Sequence, residues 1–198
     1  MTVPAAIWVA ARQMEGAPLT QGERDRAMSH LHATRKQFLD LLAGVNEAQW
    51  RWKPAPERWS LEEVAEHIAL SEETLYQAVQ QALAKPAAAV DGAEQRKKDA
   101  LIVASVPNRE RRVQAPEMLR PRKTFPTKAA TIEAFKKARD RNIAFVRETQ
   151  ASLREHLADH PALGPLDAYQ WLVFISAHCE RHIAQMREVT ETAGYPKG

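Results

Sequence analysis

Asp167-Ala-Tyr-Gln-Trp-Leu-Val-Phe-Ile-Ser-Ala-His178-Cys-Glu-Arg-His182-Ile-Ala-Gln185-Met186 sets two imidazoles into an otherwise apolar stripe. Trp171, Ile175, His178, His182, Gln185 and Val189 follow one another in steps of three and four, the spacing of one face of an α-helix. At about 100° per residue, His178 and His182 lie roughly 40° apart and one turn removed, so both point inward and can share one metal ion. Asp167 and Gln170 form a capping box at the start of this helix, and Gly194 and Pro196 end it. By spacing alone the pair reads equally well as core imidazoles or as ligands, so what meets it from the other helices decides.

Three further long helices are expected upstream. Met28, Leu31, His32, Arg35, Phe38, Leu39 and Leu42 keep helical spacing over residues 20–43, and Gly44 is a natural stop. Ser60-Leu-Glu-Glu63 is a capping box that opens a second helix, running to about residue 84. Its inward stripe is Leu61, Val64, His67, Ile68, Ser71, Leu75, Val79 and Leu83, with Glu62, Glu63, Glu66, Glu72 and Glu73 expected largely outside. A third helix is expected over residues 128–153, with Ile132, Phe135, Ala138, Arg139, Asn142, Phe145 and Val146 facing inward. Between the first two helices, residues 46–59 hold three of the five tryptophans and two prolines, and read as an ordered connector laying large side chains over one end of the bundle.

Residues 85–125 break the rhythm with Pro86, Pro107, Pro116 and Pro121 and carry many basic residues, among them Arg109, Arg120, Arg122 and Lys123. A short helix near residues 93–103 and a long crossover beyond it are expected. With no strand-like alternation, the chain reads as an all-α four-helix bundle whose long crossover joins helices two and three. Residues 1–19 are read as an N-terminal arm, with Ile7 and Trp8 as anchors, and residues 20–198 as one domain.

At 198 residues with a net charge of +3, the chain suits a single domain and gives no support to nucleic acid as a partner. One cysteine precludes an internal disulfide and suits a reducing compartment. The N-terminus lacks a basic segment followed by a long apolar one, and no run of about 18 apolar residues exists to span a membrane. A cytoplasmic location is therefore expected.

His67 on the second helix with His178 and His182 on the last suits a divalent ion with open coordination positions. Two familiar metal sites are excluded. In His178-Cys-Glu-Arg-His182 the glutamate is at the third position, turned about 200° from His178, so this is not the His-Glu-x-x-His of a zinc peptidase. A di-iron bundle needs Glu-x-x-His on two helices, which neither helix supplies. Gln185 is the candidate to orient a ligand or a bound water from behind. Cys179 lies off the metal face and reads as a buried small residue. Of the other histidines, His32 is expected inward on the first helix, and His156 and His160 are expected solvated in a loop. The basic crossover reads as a solvated loop, or alternatively as a clamp for an anionic thiol or carboxylate.

Trp50, then Trp59-Ser60-Leu-x-x-Val64-x-x-His67, together with His178-x-x-x-His182-x-x-Gln185, resembles the DinB-like (YfiT-like) metalloenzyme superfamily over essentially residues 20–193. The resemblance implies a four-helix bundle with an unusual crossover, and a metal triad of His67, His178 and His182 holding nickel or zinc with water completing the shell. It also implies metal-dependent transfer or isomerisation using small thiols such as bacillithiol or mycothiol. The partners it points to are thus a small-molecule thiol and an electrophile, with a homodimer left open. A bundle that keeps the triad as a non-catalytic, ligand-binding or stress-associated protein is the alternative.

Overall fold

A computed structural model describes residues 16–110 and 113–197. Ile7 and Trp8, the expected anchors of the arm, and Arg111 and Arg112 of the crossover fall outside those residues.

Four long helices form where the heptad-like spacing places them: α1 (Gln21–Leu42), α3 (Leu61–Leu83), α5 (Lys128–Glu148) and α6 (Ala168–Glu191). Two short helices lie between them, α2 (Glu47–Arg51) in the tryptophan-rich connector and α4 (Gly92–Ser105) in the crossover. Local capping chemistry starts each long helix. Ser60 and Asp167 close the expected capping boxes on Glu63 and Gln170, and Thr20 and Asn46 close two more on Glu23 and Gln49. Gly44 at φ 78° follows α1, a backbone setting that a residue with a Cβ rarely takes.

α3 packs on α5 and α6, and α1 packs on the same two helices. The sequence neighbours α1 and α3 therefore sit diagonally across the bundle, as do α5 and α6. The long crossover returns the chain to the end of the bundle where α3 began, so that α5 runs beside α3 in the same direction, with Glu66 of α3 facing residues 122–124, Glu72 facing Arg139 and Glu73 facing Arg141. Trp50 is buried with Phe38, Leu42 and Leu61 at one end, as the connector's composition suggests.

Three expectations change. The third long helix ends at Glu148 rather than at residue 153, because Thr149 turns extended while the Arg24 guanidinium accommodates the last carbonyls, donating to those of Val146, Arg147 and Thr149. Leu153 is still fully buried, in the loop that follows. The segment expected to be an unstructured loop contains an antiparallel pair, β1 (Leu157–His160) and β2 (Gly164–Asp167). Strands of four residues with few β-branched side chains give almost no alternation to read. Finally, Glu66 and Glu72, expected outside, are each only 2% exposed. At Glu66 the flank of α3 is covered by the crossover, and at Glu72 it faces the neighbouring bundle helix α5, whose Arg139 and Asn142 donate to it.

Because the hairpin packs against α3 and α4 packs against α6, α6 is enclosed on nearly every side from Ala168 to Ala177. None of the described helices is long and apolar enough to cross a membrane.

Candidate metal centre

His67, His178 and His182 come together between α3 and α6, with one ring nitrogen of each lying within 4.8 Å of the others. Ring centroids are separated by 4.4 Å for His67 and His182, 4.5 Å for His178 and His182, and 5.2 Å for His67 and His178. His67 and His182 are buried, whereas His178 keeps part of its surface exposed.

The hydrogen bonds around the rings assign their protons. His67 Nδ1 lies 2.8 Å from the Leu119 carbonyl, which can only accept, so Nδ1 carries the hydrogen. His182 Nδ1 lies 2.8 Å from Gln185 Oε1. Arg109 donates to the same oxygen at 3.4 Å, which identifies it as the carbonyl end of the amide. His182 Nδ1 therefore also donates. In neutral rings both Nε2 atoms are then bare acceptors, yet they face each other at 3.2 Å.

Burial keeps the rings neutral. It lowers the pKa of His67, which the Leu119 hydrogen bond only partly offsets. It takes His182 down to about 3, with the neighbouring His67 adding to the effect. His178 falls well below the ordinary range for the same reason, with His182 and His67 contributing. Uncharged imidazoles that present lone pairs to one another are the donor set a cation requires. Two nitrogens at about 2.0–2.1 Å from a tetrahedral zinc stand about 3.3 Å apart, so the observed His67–His182 spacing fits an ion with little rearrangement.

The walls come from several elements. Trp59 lies 5.1 Å from the His67 ring, and Phe174 stacks on His178 at 6.0 Å with 22° between planes. Arg109, from the basic crossover, pairs with Glu188 through Nε and Nη2 at 2.6 and 2.9 Å. Glu66, the residue before His67, accepts the backbone N–H groups of Arg122, Lys123 and Thr124.

Other candidates fall into place around this cluster. Gln185 lies where the helical spacing puts it, on Nδ1 of His182. Cys179 is fully buried, and burial pushes its thiol up to about 12, against the pull of the nearby Arg139 charge. Glu180 is exposed, on the side away from the cluster. His32 is exposed rather than inward, and Thr34 takes the buried position instead. The two loop histidines are not simply solvated. His156 Nδ1 donates to the Lys85 carbonyl at 2.7 Å, and His160 packs at 4.7 Å on Phe174 and 5.3 Å on Trp171. His160 Nδ1 accepts the turn amides of Ala162 and Leu163, so its proton sits on Nε2, the reverse of His67 and His182.

Sequence spacing missed Leu119, whose contribution is a backbone carbonyl, and Arg109 and Glu66, whose roles depend on how the crossover folds back. Only the density of prolines and arginines in that segment pointed to it.

A four-helix bundle with a neutral three-imidazole cluster, two of its rings buried and one partly exposed, defines a helical protein equipped to hold one metal ion. The chain belongs to the DinB superfamily, which matches residues 30–186. It is 26% identical over 164 residues to the uncharacterized protein YuaE of Bacillus subtilis (strain 168), an alignment spanning 83% of this chain and 97% of YuaE. Its fold is similar to that of YfiT from Bacillus subtilis, described as a probable metal-dependent hydrolase with an unusual four-helix bundle topology. That likeness has a TM-score of 0.60 at 13% identity, covering 90% of this chain and 91% of YfiT.

Proposed function

We propose that the protein is a metal-dependent enzyme in which Nε2 of His67, His178 and His182 hold one divalent ion, nickel or zinc, and that it transfers a small-molecule thiol to an electrophile. The observation that carries this reading is the pair of bare Nε2 atoms of His67 and His182 facing each other at 3.2 Å. When bound, an ion held by three neutral nitrogens keeps its full charge and supplies Lewis-acid chemistry, lowering the pKa of a water or thiol and polarising an electrophile.

The chain's own residues orient and enclose. Leu119 and Gln185 fix the tautomers and ring planes of His67 and His182. Trp59 and Phe174 lay aromatic surface against the cluster and exclude water. His178, the partly exposed member, marks the side from which small molecules arrive.

Thiol transfer is favoured over hydrolysis by the state of the nearby carboxylates. Hydrolysis draws on a general base to take a proton from water. Glu66 is held by three backbone amides, Glu188 is paired with Arg109, and Glu180 points away. A thiol, ordinarily more acidic than water by several pKa units, ionises beside a cation without such a base. Hydrolysis is the second reading, supported by the description of YfiT.

The expected result of metal analysis is close to one equivalent per chain, lost in His178→Ala while the circular dichroism spectrum is unchanged. Equal metal in wild type and variant would overturn metal binding at this cluster. Metal-dependent consumption of thiol with monochlorobimane as electrophile supports transfer, whereas ester cleavage without thiol consumption supports the second reading.

A further inference from the structure

Glu66 and His67 are consecutive on α3, and both reach into the same stretch of the crossover. The Glu66 carboxylate, 2% exposed, accepts the backbone N–H groups of Arg122 at 3.0 Å, Lys123 at 3.0 Å and Thr124 at 2.8 Å. His67 donates to the carbonyl of Leu119, three residues before that turn. Lys123 has φ 60°, the one positive φ at a non-glycine among the described residues. A side chain with a Cβ takes that conformation at a cost, and here it turns three successive amides toward one anion, the concave arrangement that binds carboxylates and phosphates elsewhere. Glu66 supplies that anion from within the chain.

The link to the imidazole cluster is short. Leu119 is 8% exposed, at the end of a single 3-10 turn (Glu117–Leu119), and its carbonyl is the group that keeps the His67 proton on Nδ1 and leaves Nε2 bare. Arg120 and Pro121 alone separate it from the first amide that Glu66 holds. A strap anchored at residues 122–124 holds its carbonyl still, whereas a loose one lets water replace it and lets the His67 ring rotate.

We propose that Glu66 is a positioning residue of the metal centre: by pinning the crossover at Arg122, Lys123 and Thr124 it fixes the Leu119 carbonyl that orients His67. The inference rests on the metal reading above and extends it to a residue that touches neither ion nor substrate. It assigns the crossover a role in metal affinity that a solvated charged loop would lack.

The test compares wild type, Glu66→Gln and Glu66→Ala in the full chain, with zinc as the probe. Glutamine keeps the length and volume of the side chain but turns an N–H toward amides that also donate, so it carries the test should alanine fail to fold. Zinc dissociation constants from chelator competition are expected to rise about tenfold or more in the variants, the range for lost outer partners of ligating histidines. The Nδ1 proton of His67, expected to exchange slowly in wild type because it is held on the Leu119 carbonyl, is expected to broaden or vanish in the variants by nuclear magnetic resonance, while that of His182 persists. A purely structural role for Glu66 predicts loss of thermal stability with both the zinc affinity and the His67 signal retained, and that result overturns the proposal. Failure of wild type to take up zinc overturns the metal reading instead, so the two failures are distinct.

Discussion

Helix α3 contributes to two buried polar clusters, His67 to one and Glu72 to the other, and the two balance their hydrogen bonds in opposite ways. Around Glu72 the donors and acceptors match. Arg139, fully buried, donates through Nε to Glu72 Oε2 at 2.9 Å, through Nη2 to the other oxygen, and through Nη1 to the Leu31 carbonyl and Thr34. Asn142 adds a further donor to Glu72 at 3.0 Å. Charge and geometry close on themselves and leave nothing for a ligand to satisfy. Around His67 the outer nitrogens are satisfied and the inner ones converge as acceptors. Burial of polar groups does not by itself separate a structural cluster from a binding one; an unmatched excess of acceptors does.

The largest effect expected from this contrast is on the closed cluster. Glu72→Ala leaves the Arg139 charge buried and unpaired, and is expected to cost about 3–5 kcal/mol in urea unfolding. Replacing both partners with apolar residues of similar size, Glu72→Leu with Arg139→Met, is expected to recover most of that loss without changing metal content. Failure of the double variant to recover stability, or a loss of metal in it, would break the distinction between the two clusters.

Acid should act on the open cluster. His182 has a folded pKa of about 3, below its unfolded value of about 6.5, and His67 and His178 are lowered as well. Between those values the unfolded chain binds protons that the folded chain refuses, so the contribution is fully present above about pH 6.5 and is lost as pH falls toward 3, by a few kcal/mol in total. Asp167 works the other way. Burial raises its pKa to about 6, so the folded chain holds a proton that the unfolded chain has lost, and stability from this group grows as pH falls through that window. Asp167→Asn, which keeps a side chain able to cap α6, should therefore steepen the acid loss. Thermal melts of metal-free protein at stepped pH check both signs.

The smallest effect concerns the outer shell of the cluster. Gln185→Leu removes the acceptor that fixes the His182 tautomer and is expected to weaken zinc binding by about tenfold with little change in fold stability. An unchanged affinity in chelator competition would show that packing alone orients the ring.

Much of this arrangement is legible along the chain, and the limits follow from which interactions are local. Helix spacing and capping boxes act over three or four residues, so the long helices, the starts at Ser60 and Asp167, and the inward direction of His67 and His182 can all be read from spacing. The boxes at Thr20 and Asn46 are equally local and equally visible once sought. Glu66 and Glu72 defeat the same logic: a carboxylate on the flank of a stripe reads as solvent-facing until a distant segment supplies its partners, 56 to 58 residues away for Glu66 and 67 for the Arg139 pair. The hairpin is hidden for a related reason, since its four-residue strands are held by pairing with each other and by packing on α3 and α6 rather than by any pattern of their own.

By itself, then, the sequence determined the helices, their boundaries to within a turn in most cases, and the three imidazoles on inward faces, because periodicity and capping are properties of short windows. Tertiary structure alone decided which nitrogens of His67 and His182 are bare, which carbonyl and amide orient them, and why two glutamates of α3 are buried. Those outcomes depend on the crossover folding back across α3 and on α1 and α3 sitting diagonally, arrangements set by long-range packing that no local window contains.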